Sequence, residues 1–170
     1  ILAFPTAAQA QPQNVVCNGS LGAITVDNLE VLEFQRCTLT GTTVLGSISV
    51  KPGGRLVADG VIVRGNVEAT EAASVVVRTS SVAGDVAIVQ GGVARVASTT
   101  VGGGVLVDGQ SGAVVVNNNR IGGVGGNVEL YGNLGGTQVF RNRVAGNLQC
   151  KDNFPIPTGG GNVVGGNKED

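Results

Sequence analysis

The sequence predicts an all-β chain folded as a parallel β-helix (β-solenoid), with about seven coils whose length follows the repeat interval. Three observations carry this expectation. A five-residue unit returns at a nearly constant interval, and apolar and polar residues alternate after each copy. A turn followed by a second β-branched run then completes the repeat. Two to three short strands per repeat leave no room for a helix.

The unit is an aliphatic residue, any residue, Gly, any residue, and a second aliphatic residue. It reads Val44-Leu45-Gly46-Ser47-Ile48, Val63-Arg64-Gly65-Asn66-Val67, Val82-Ala83-Gly84-Asp85-Val86 and Val101-Gly102-Gly103-Gly104-Val105. It continues as Val124-Gly125-Gly126-Asn127-Val128, Val144-Ala145-Gly146-Asn147-Leu148 and a partial copy from Val164. The first residues are spaced by 19, 19, 19, 23, 20 and 20 positions. Extra residues within Ile121-Gly122-Gly123-Val124 explain the long interval.

Each unit opens a strand. Two places past its second aliphatic residue stand Val50, Ala69, Ile88, Val107, Leu130 and Cys150. Ser49, Glu68, Ala87, Leu106, Glu129 and Gln149 lie between, the alternation of a strand with one buried face. Turn residues follow, as in Lys51-Pro52-Gly53-Gly54, Gln90-Gly91-Gly92 and Asp108-Gly109-Gln110-Ser111-Gly112. Short runs such as Leu56-Val57, Val75-Val76-Val77 and Val114-Val115-Val116 supply the second strand.

Stacked coils set equivalent strands ~4.8 Å apart, so each backbone group pairs with the coil above and below. One coil buries too little apolar surface to offset its chain entropy, and only the stack is stable. The recurrent Gly suits a corner of positive φ or a close backbone approach. One place later Ser47, Asn66, Asp85, Gly104, Asn127, Asn147 and Asn167 form a column whose stacked side chains can hydrogen-bond. That column is expected to be turn scaffolding rather than a ligand site. A β-sandwich is the rival fold, but it does not require a fixed period.

Ile1-Leu2-Ala3-Phe4, followed by Ala8-Gln9-Ala10, reads as the end of a secretory signal peptide, with Gln11 as the mature start. A docked or disordered arm is the alternative. The expected division is a signal remnant over 1–10, N-terminal coils or a cap over 11–36, the solenoid over 37–150, and a C-terminal loop with a partial coil over 151–170. No apolar run approaches the ~20 residues of a membrane span. The chain is therefore expected to be secreted, extracellular or at the cell surface.

Cys17 and Cys37 are separated by one coil's length of sequence. Equivalent places on adjacent coils would lie within disulfide reach, a staple suited to an exported chain. Two buried thiols are the alternative. Cys150 is then odd, which suggests an intermolecular partner or one lost by truncation.

The run Gly146-Asn147-Leu148-Gln149-Cys150-Lys151-Asp152-Asn153, with Thr158-Gly159-Gly160-Gly161-Asn162 and Val164-Gly165-Gly166-Asn167-Lys168-Glu169-Asp170, is distinctive. Together with the V-x-G-N-V units and Cys37-Thr38-Leu39-Thr40-Gly41-Thr42-Thr43-Val44, it resembles a group of exported bacterial β-solenoid proteins of uncharacterised function. The likeness covers about residues 37–170. It implies a further Cys beyond an NKED-like ending as the partner of Cys150. More loosely, the coils resemble bactofilins, β-helical proteins that polymerise end to end without nucleotide.

Composition narrows the function classes. The 170 residues include 29 Gly and no His, Met or Trp, with 3% aromatics and a net charge of -1. The electrostatic footprint for nucleic acid and the rings for base or sugar stacking are both lacking. Without His, the commonest general base and transition-metal ligand are gone. Asp27, Asp59, Asp85, Asp108 and Asp152 fall at unlike places in their repeats, with Asp59 near Arg78, so no paired carboxylates appear for glycosidase chemistry. Arg55, Arg78, Arg95 and Arg120 read as solvated edges. Calcium-binding nonapeptides, a phosphate loop and a regular Thr ladder for ice are not matched. No catalytic, cofactor or metal residue is expected. The expected function is a non-enzymatic secreted structural protein, stacking head to tail on itself into an extracellular or surface fibre. The alternative is a monomeric surface module that binds a glycan or protein on a flat sheet face.

Overall fold

A computed structural model describes residues 13–123 and 125–169. The chain is an all-β parallel β-solenoid of about eight turns, and no helix occurs among the described residues. Each turn contributes one short strand to each of three sheets. Turn one holds β1 (Val15–Val16), β2 (Gly19–Leu21) and β3 (Thr25–Val26), and turn two β4 (Leu29–Val31), β5 (Arg36–Thr40) and β6 (Thr43–Val44). Turn three holds β7 (Ile48–Val50), β8 (Arg55–Asp59) and β9 (Ile62–Val63), and turn four β10 (Val67–Thr70), β11 (Ser74–Arg78) and β12 (Ser81–Val82). Turn five holds β13 (Val86–Val89), β14 (Val93–Ala97) and β15 (Thr100–Val101), and turn six β16 (Val105–Asp108), β17 (Val114–Asn117) and β18 (Arg120–Ile121). Turn seven holds β19 (Val128–Tyr131), β20 (Thr137–Phe140) and β21 (Arg143–Val144). Turn eight holds β22 (Leu148–Lys151), β23 (Thr158–Gly160) and β24 (Val163–Val164), and β25 (Lys168–Glu169) begins a ninth.

Sheet A runs β1-β4-β7-β10-β13-β16-β19-β22-β25, sheet B runs β2-β5-β8-β11-β14-β17-β20-β23, and sheet C runs β3-β6-β9-β12-β15-β18-β21-β24. Strand pairing is parallel and joins strands one turn apart, for instance β9 with β12 and β12 with β15. Val63, Val82 and Val101 therefore stack directly over one another. The same register makes columns of Leu29, Ile48, Val67, Val86, Val105 and Val128 in sheet A, and of Leu56, Val75, Ala94 and Val114 in sheet B. These side chains are buried and form one continuous apolar core. β-branched residues suit it because their stiff χ1 rotamers pack well on a pleated face.

The structure departs from the sequence reading in three places. About eight turns are present, one more than the Gly-centred units suggest. Val15 pairs with Leu29, so the first turn is shorter than the rest and lacks the unit, which hides it in the sequence. The segment 151–170, expected as a loop with a partial coil, completes turn eight through β23 and β24. In sheet C, Ile121 rather than Val124 takes the repeat position, facing Val101 on one side and Val144 on the other. The extra residues thus follow Ile121, where a corner can lengthen without breaking sheet register. Val124 itself lies outside the described residues, as does the signal-peptide reading of residues 1–10.

The recurrent Gly has a different cause from a left-handed corner. Gly46, Gly65, Gly84, Gly103, Gly126, Gly146 and Gly166 are not among the positive-φ residues. A Cβ at Gly84 would overlap Asn66 Oδ1, and one at Gly103 would overlap Asp85 Oδ1. Close stacking excludes the side chain. Apart from Gly122 and Gly125 in the lengthened corner after Ile121, the left-handed positions at corners fall at the other two, and several carry side chains, including Glu71, Thr79, Gln90, Ser98, Asn118 and Arg141.

Candidate functional site

Three features emerge from the stacked register: side-chain ladders at the corners, a buried staple at the first turn, and charged outer faces. The outer ladder runs through the predicted column. The backbone N–H of Asn66 donates to Ser47 Oγ, that of Asp85 to Asn66 Oδ1, and that of Gly104 to Asp85 Oδ1, at 2.7–3.0 Å. Asn147 and Asn167 continue it, donating to Asn127 Oδ1 and Asn147 Oδ1 at 2.9 and 2.8 Å. Each rung is a side-chain oxygen accepting the next turn's N–H, rather than amide stacked on amide. Gly104 has no side chain and interrupts the series. The side-chain amides of Asn66 and Asn127 donate outward to Glu68 and Glu129.

The sequence reading missed a second ladder. Ser80, Thr99, Asn119, Asn142 and Asn162 stand at the corner between sheets B and C, each accepting the N–H of the turn before it. Its signal was a polar residue two places before the first aliphatic residue of sheet C, as in Asn142 before Val144. Such a residue in a turn also fits ordinary loop chemistry. A third ladder joins Gln110, Asn133 and Asn153. Gln110 is one methylene longer than Asn. Its Nε2 reaches the carbonyls of Ile88 and Asp108, and its Oε1 has no partner.

Asn142 is 1% exposed. Its Oδ1 accepts from the Asn119 backbone and side chain at 3.0 Å, and its Nδ2 donates to Val116 O at 2.8 Å. Asn142→Ala leaves a buried donor and acceptor without partners, each worth about 1–3 kcal/mol. Chemical denaturation is expected to read a loss of about 3 kcal/mol, and a loss below about 1 kcal/mol contradicts the ladder's role.

Cys17 and Cys37 form a disulfide with a Cα–Cα separation of 5.5 Å. They are not register partners. Cys37 faces Gly19, so the bond runs obliquely from the first corner into sheet B. Both residues belong to the core. Cys150 is also buried, in the column of Val107 and Leu130.

Charges follow the faces. The central outward column of sheet A intersperses Glu30, Glu68 and Glu129 with neutral residues, so these carboxylates are not neighbours. Opposite charges meet across turns as Lys51–Glu30 (3.0 Å), Arg78–Asp59 (3.0 Å) and Lys151–Glu169 (2.9 Å). The Thr79 hydroxyl donates to Asp59 and, with the Arg78 charge, holds that carboxyl below its ordinary range. Hydrogen bonding and charge from Lys151 lower Glu169 in the same way, and Glu169 raises Lys151. Tyr131 is pushed up by burial and then by Glu129, while its hydroxyl donates to Gln149.

Two pairs break this habit of alternation. Arg36 stands beside Arg55 on sheet B, and Arg120 beside Arg143 on sheet C. In the sequence Arg120 reads as an isolated solvated edge, because an alignment through Val124 shifts turn seven against turn six. Placing Ile121 in the column reveals the pairing.

Among the described residues no group of three or more His, Cys, Asp and Glu could hold a metal ion. No helix among them is long and apolar enough to cross a membrane. The fold and its corners define a β-solenoid with hydrogen-bonded side-chain ladders. Comparisons with protein-family models, curated proteins and solved structures find no match.

Proposed function

We propose that the chain is a non-enzymatic structural protein that stacks head to tail into an extracellular or surface fibre. One observation carries this reading: every strand pairs in parallel with the next turn, and each rung of the outer ladder points the same way, so the two outermost turns are complementary. In sheet A, β1 and β25 are the outermost strands; β2 and β23 bound sheet B, and β3 and β24 bound sheet C. Each leaves one edge without a strand partner among the described residues. At the last rung, Asn167 offers Oδ1 in the direction from which each earlier rung accepts an N–H. A second copy set on that end would continue three parallel sheets in register. Such a contact is heterologous and does not close, which yields a filament. Open edges are templates for pairing.

A buried disulfide fits an oxidising compartment, which supports export. The likeness to exported V-x-G-N-V proteins and to bactofilins adds an analogy for end-to-end growth. Negative-stain microscopy of the purified chain over a concentration series tests the proposal. Unbranched fibres one solenoid wide are expected, with a ~4.8 Å repeat along the axis by fibre diffraction. Discrete short particles at the highest concentration overturn it.

A further inference from the structure

We infer that the outer face of sheet C at turns six and seven binds the carboxylate or sulfate groups of an anionic polysaccharide, with Arg120 and Arg143 as its paired contacts. The inference does not rest on fibre formation, since both arginines belong to one chain. In β18 and β21 the two residues are register partners, on strands ~4.8 Å apart, and both are exposed. Like charges directly opposite one another destabilise a sheet. Apart from Arg36 beside Arg55 on sheet B, the chain avoids that cost elsewhere by spacing glutamates with neutral residues or by setting an opposite charge one turn away. Among the described residues neither Arg120 nor Arg143 has an ion-pair partner.

The pair borders a groove of about 270 Å³. No carboxylate lines it, and its lining includes Gly122, Gly123, Ala145 and Gly165, small residues that admit a polymer close to the backbone. The lengthened corner after Ile121 contributes two of these residues. The groove therefore sits where turn six departs from the regular period. A guanidinium offers a planar fork of donors that matches carboxylate and sulfate oxygens, so an anion shared by both arginines would relieve their repulsion. A polymer carrying many such groups gains further, because one bound group raises the local concentration of the next. The groove lining includes no aromatic ring on which a base could stack, which favours the acidic groups of a polysaccharide over a single-stranded nucleic acid.

The test uses the full chain at a concentration where light scattering reports single particles. Binding to dextran sulfate and to polygalacturonate is measured by interferometry, with neutral dextran and single-stranded DNA as comparison arms. At least one acidic polysaccharide is expected to bind, and neutral dextran is not. Arg120→Gln with Arg143→Gln is expected to weaken that binding about tenfold or more, as loss of charge-assisted hydrogen bonds implies. The charge-matched pair Arg36→Gln with Arg55→Gln, also exposed and in register, is expected to leave it within about twofold. Equal losses in the two double variants would show diffuse charge attraction and overturn the site. So would absence of binding by the unaltered chain, or DNA binding of equal strength that depends on Arg120 and Arg143. Circular dichroism of both variants separates a lost contact from a lost fold.

Discussion

Gly84→Ala is expected to destabilise the stack by about 1–3.5 kcal/mol, although the residue lies at a half-buried corner and its φ is not left-handed. The new methyl group would overlap Asn66 Oδ1 and meet the Gly65 carbonyl oxygen at 2.9 Å. Asn66 must swing away, and Asp85 N–H then loses the 3.0 Å bond it donates. Overpacking of this kind costs about 1–3 kcal/mol, and the lost hydrogen bond about 1 more. Stiffening of the unfolded chain returns only about 0.4–1 kcal/mol. Adding Asn66→Gly removes the side-chain clash but not the carbonyl, so the double variant should recover part of the loss. The molecule contains a natural version of this arrangement. Gly104 lacks the ladder side chain, yet a Cβ at Gly126 in the next turn would still overlap Gly103 O. Chemical denaturation of the two variants beside the unaltered chain checks the argument. A loss below about 1 kcal/mol for Gly84→Ala would remove close stacking as the reason for the repeated Gly.

Reduction of Cys17–Cys37 is expected to release the first turn while leaving the middle of the solenoid protected. The bond spans a sequence separation of 20, for which loop closure predicts about 3 kcal/mol. That stabilisation is local, because a turn in a solenoid touches only its neighbours and stability propagates along one dimension. Turn one is also lightly held, with a short advance to turn two and exposed Val16 and Ile24. Native-state hydrogen exchange with and without a reductant should show protection over 13–28 falling about 100-fold, the equivalent of about 3 kcal/mol. The amides of β10, β11, β13 and β14 should change little. A uniform loss over all turns would mean that the staple supports the whole stack rather than its first layer.

The parts of this architecture legible beforehand were those written as a period. Val63, Val82 and Val101 recur at one constant interval, and a period that matches one turn leaves the stacking of side chains almost no freedom. The Cys17–Cys37 bond was legible for the same reason, although its oblique path was not: Cys37 faces Gly19, and only the shortened first turn sets the offset. The role of the recurrent Gly was legible as a pair of alternatives, and the closeness of Gly84 to Asn66 chose between them. The ladders of Asn119, Asn142 and Asn162 and of Gln110, Asn133 and Asn153 were obscured because isolated polar residues in turns resemble ordinary loop chemistry. The burial of Gln110, Asn119, Asn133 and Asn142 follows from the coil closing over them.

By itself the sequence determined that equivalent aliphatic residues return once per turn, that each strand has one buried face, and that no helix interrupts them. It did so because periodicity and alternation are local properties of a chain. Tertiary structure alone decided which residue fills a column where the period slips, as Ile121 does between Val101 and Val144. It also decided which charges become neighbours, and so brought Arg120 beside Arg143 from the following turn. The physical reason is that sheet register is set by backbone pairing between turns. An insertion is absorbed at a corner, where no ladder of strand hydrogen bonds has to be broken, and the strands on either side keep their alignment.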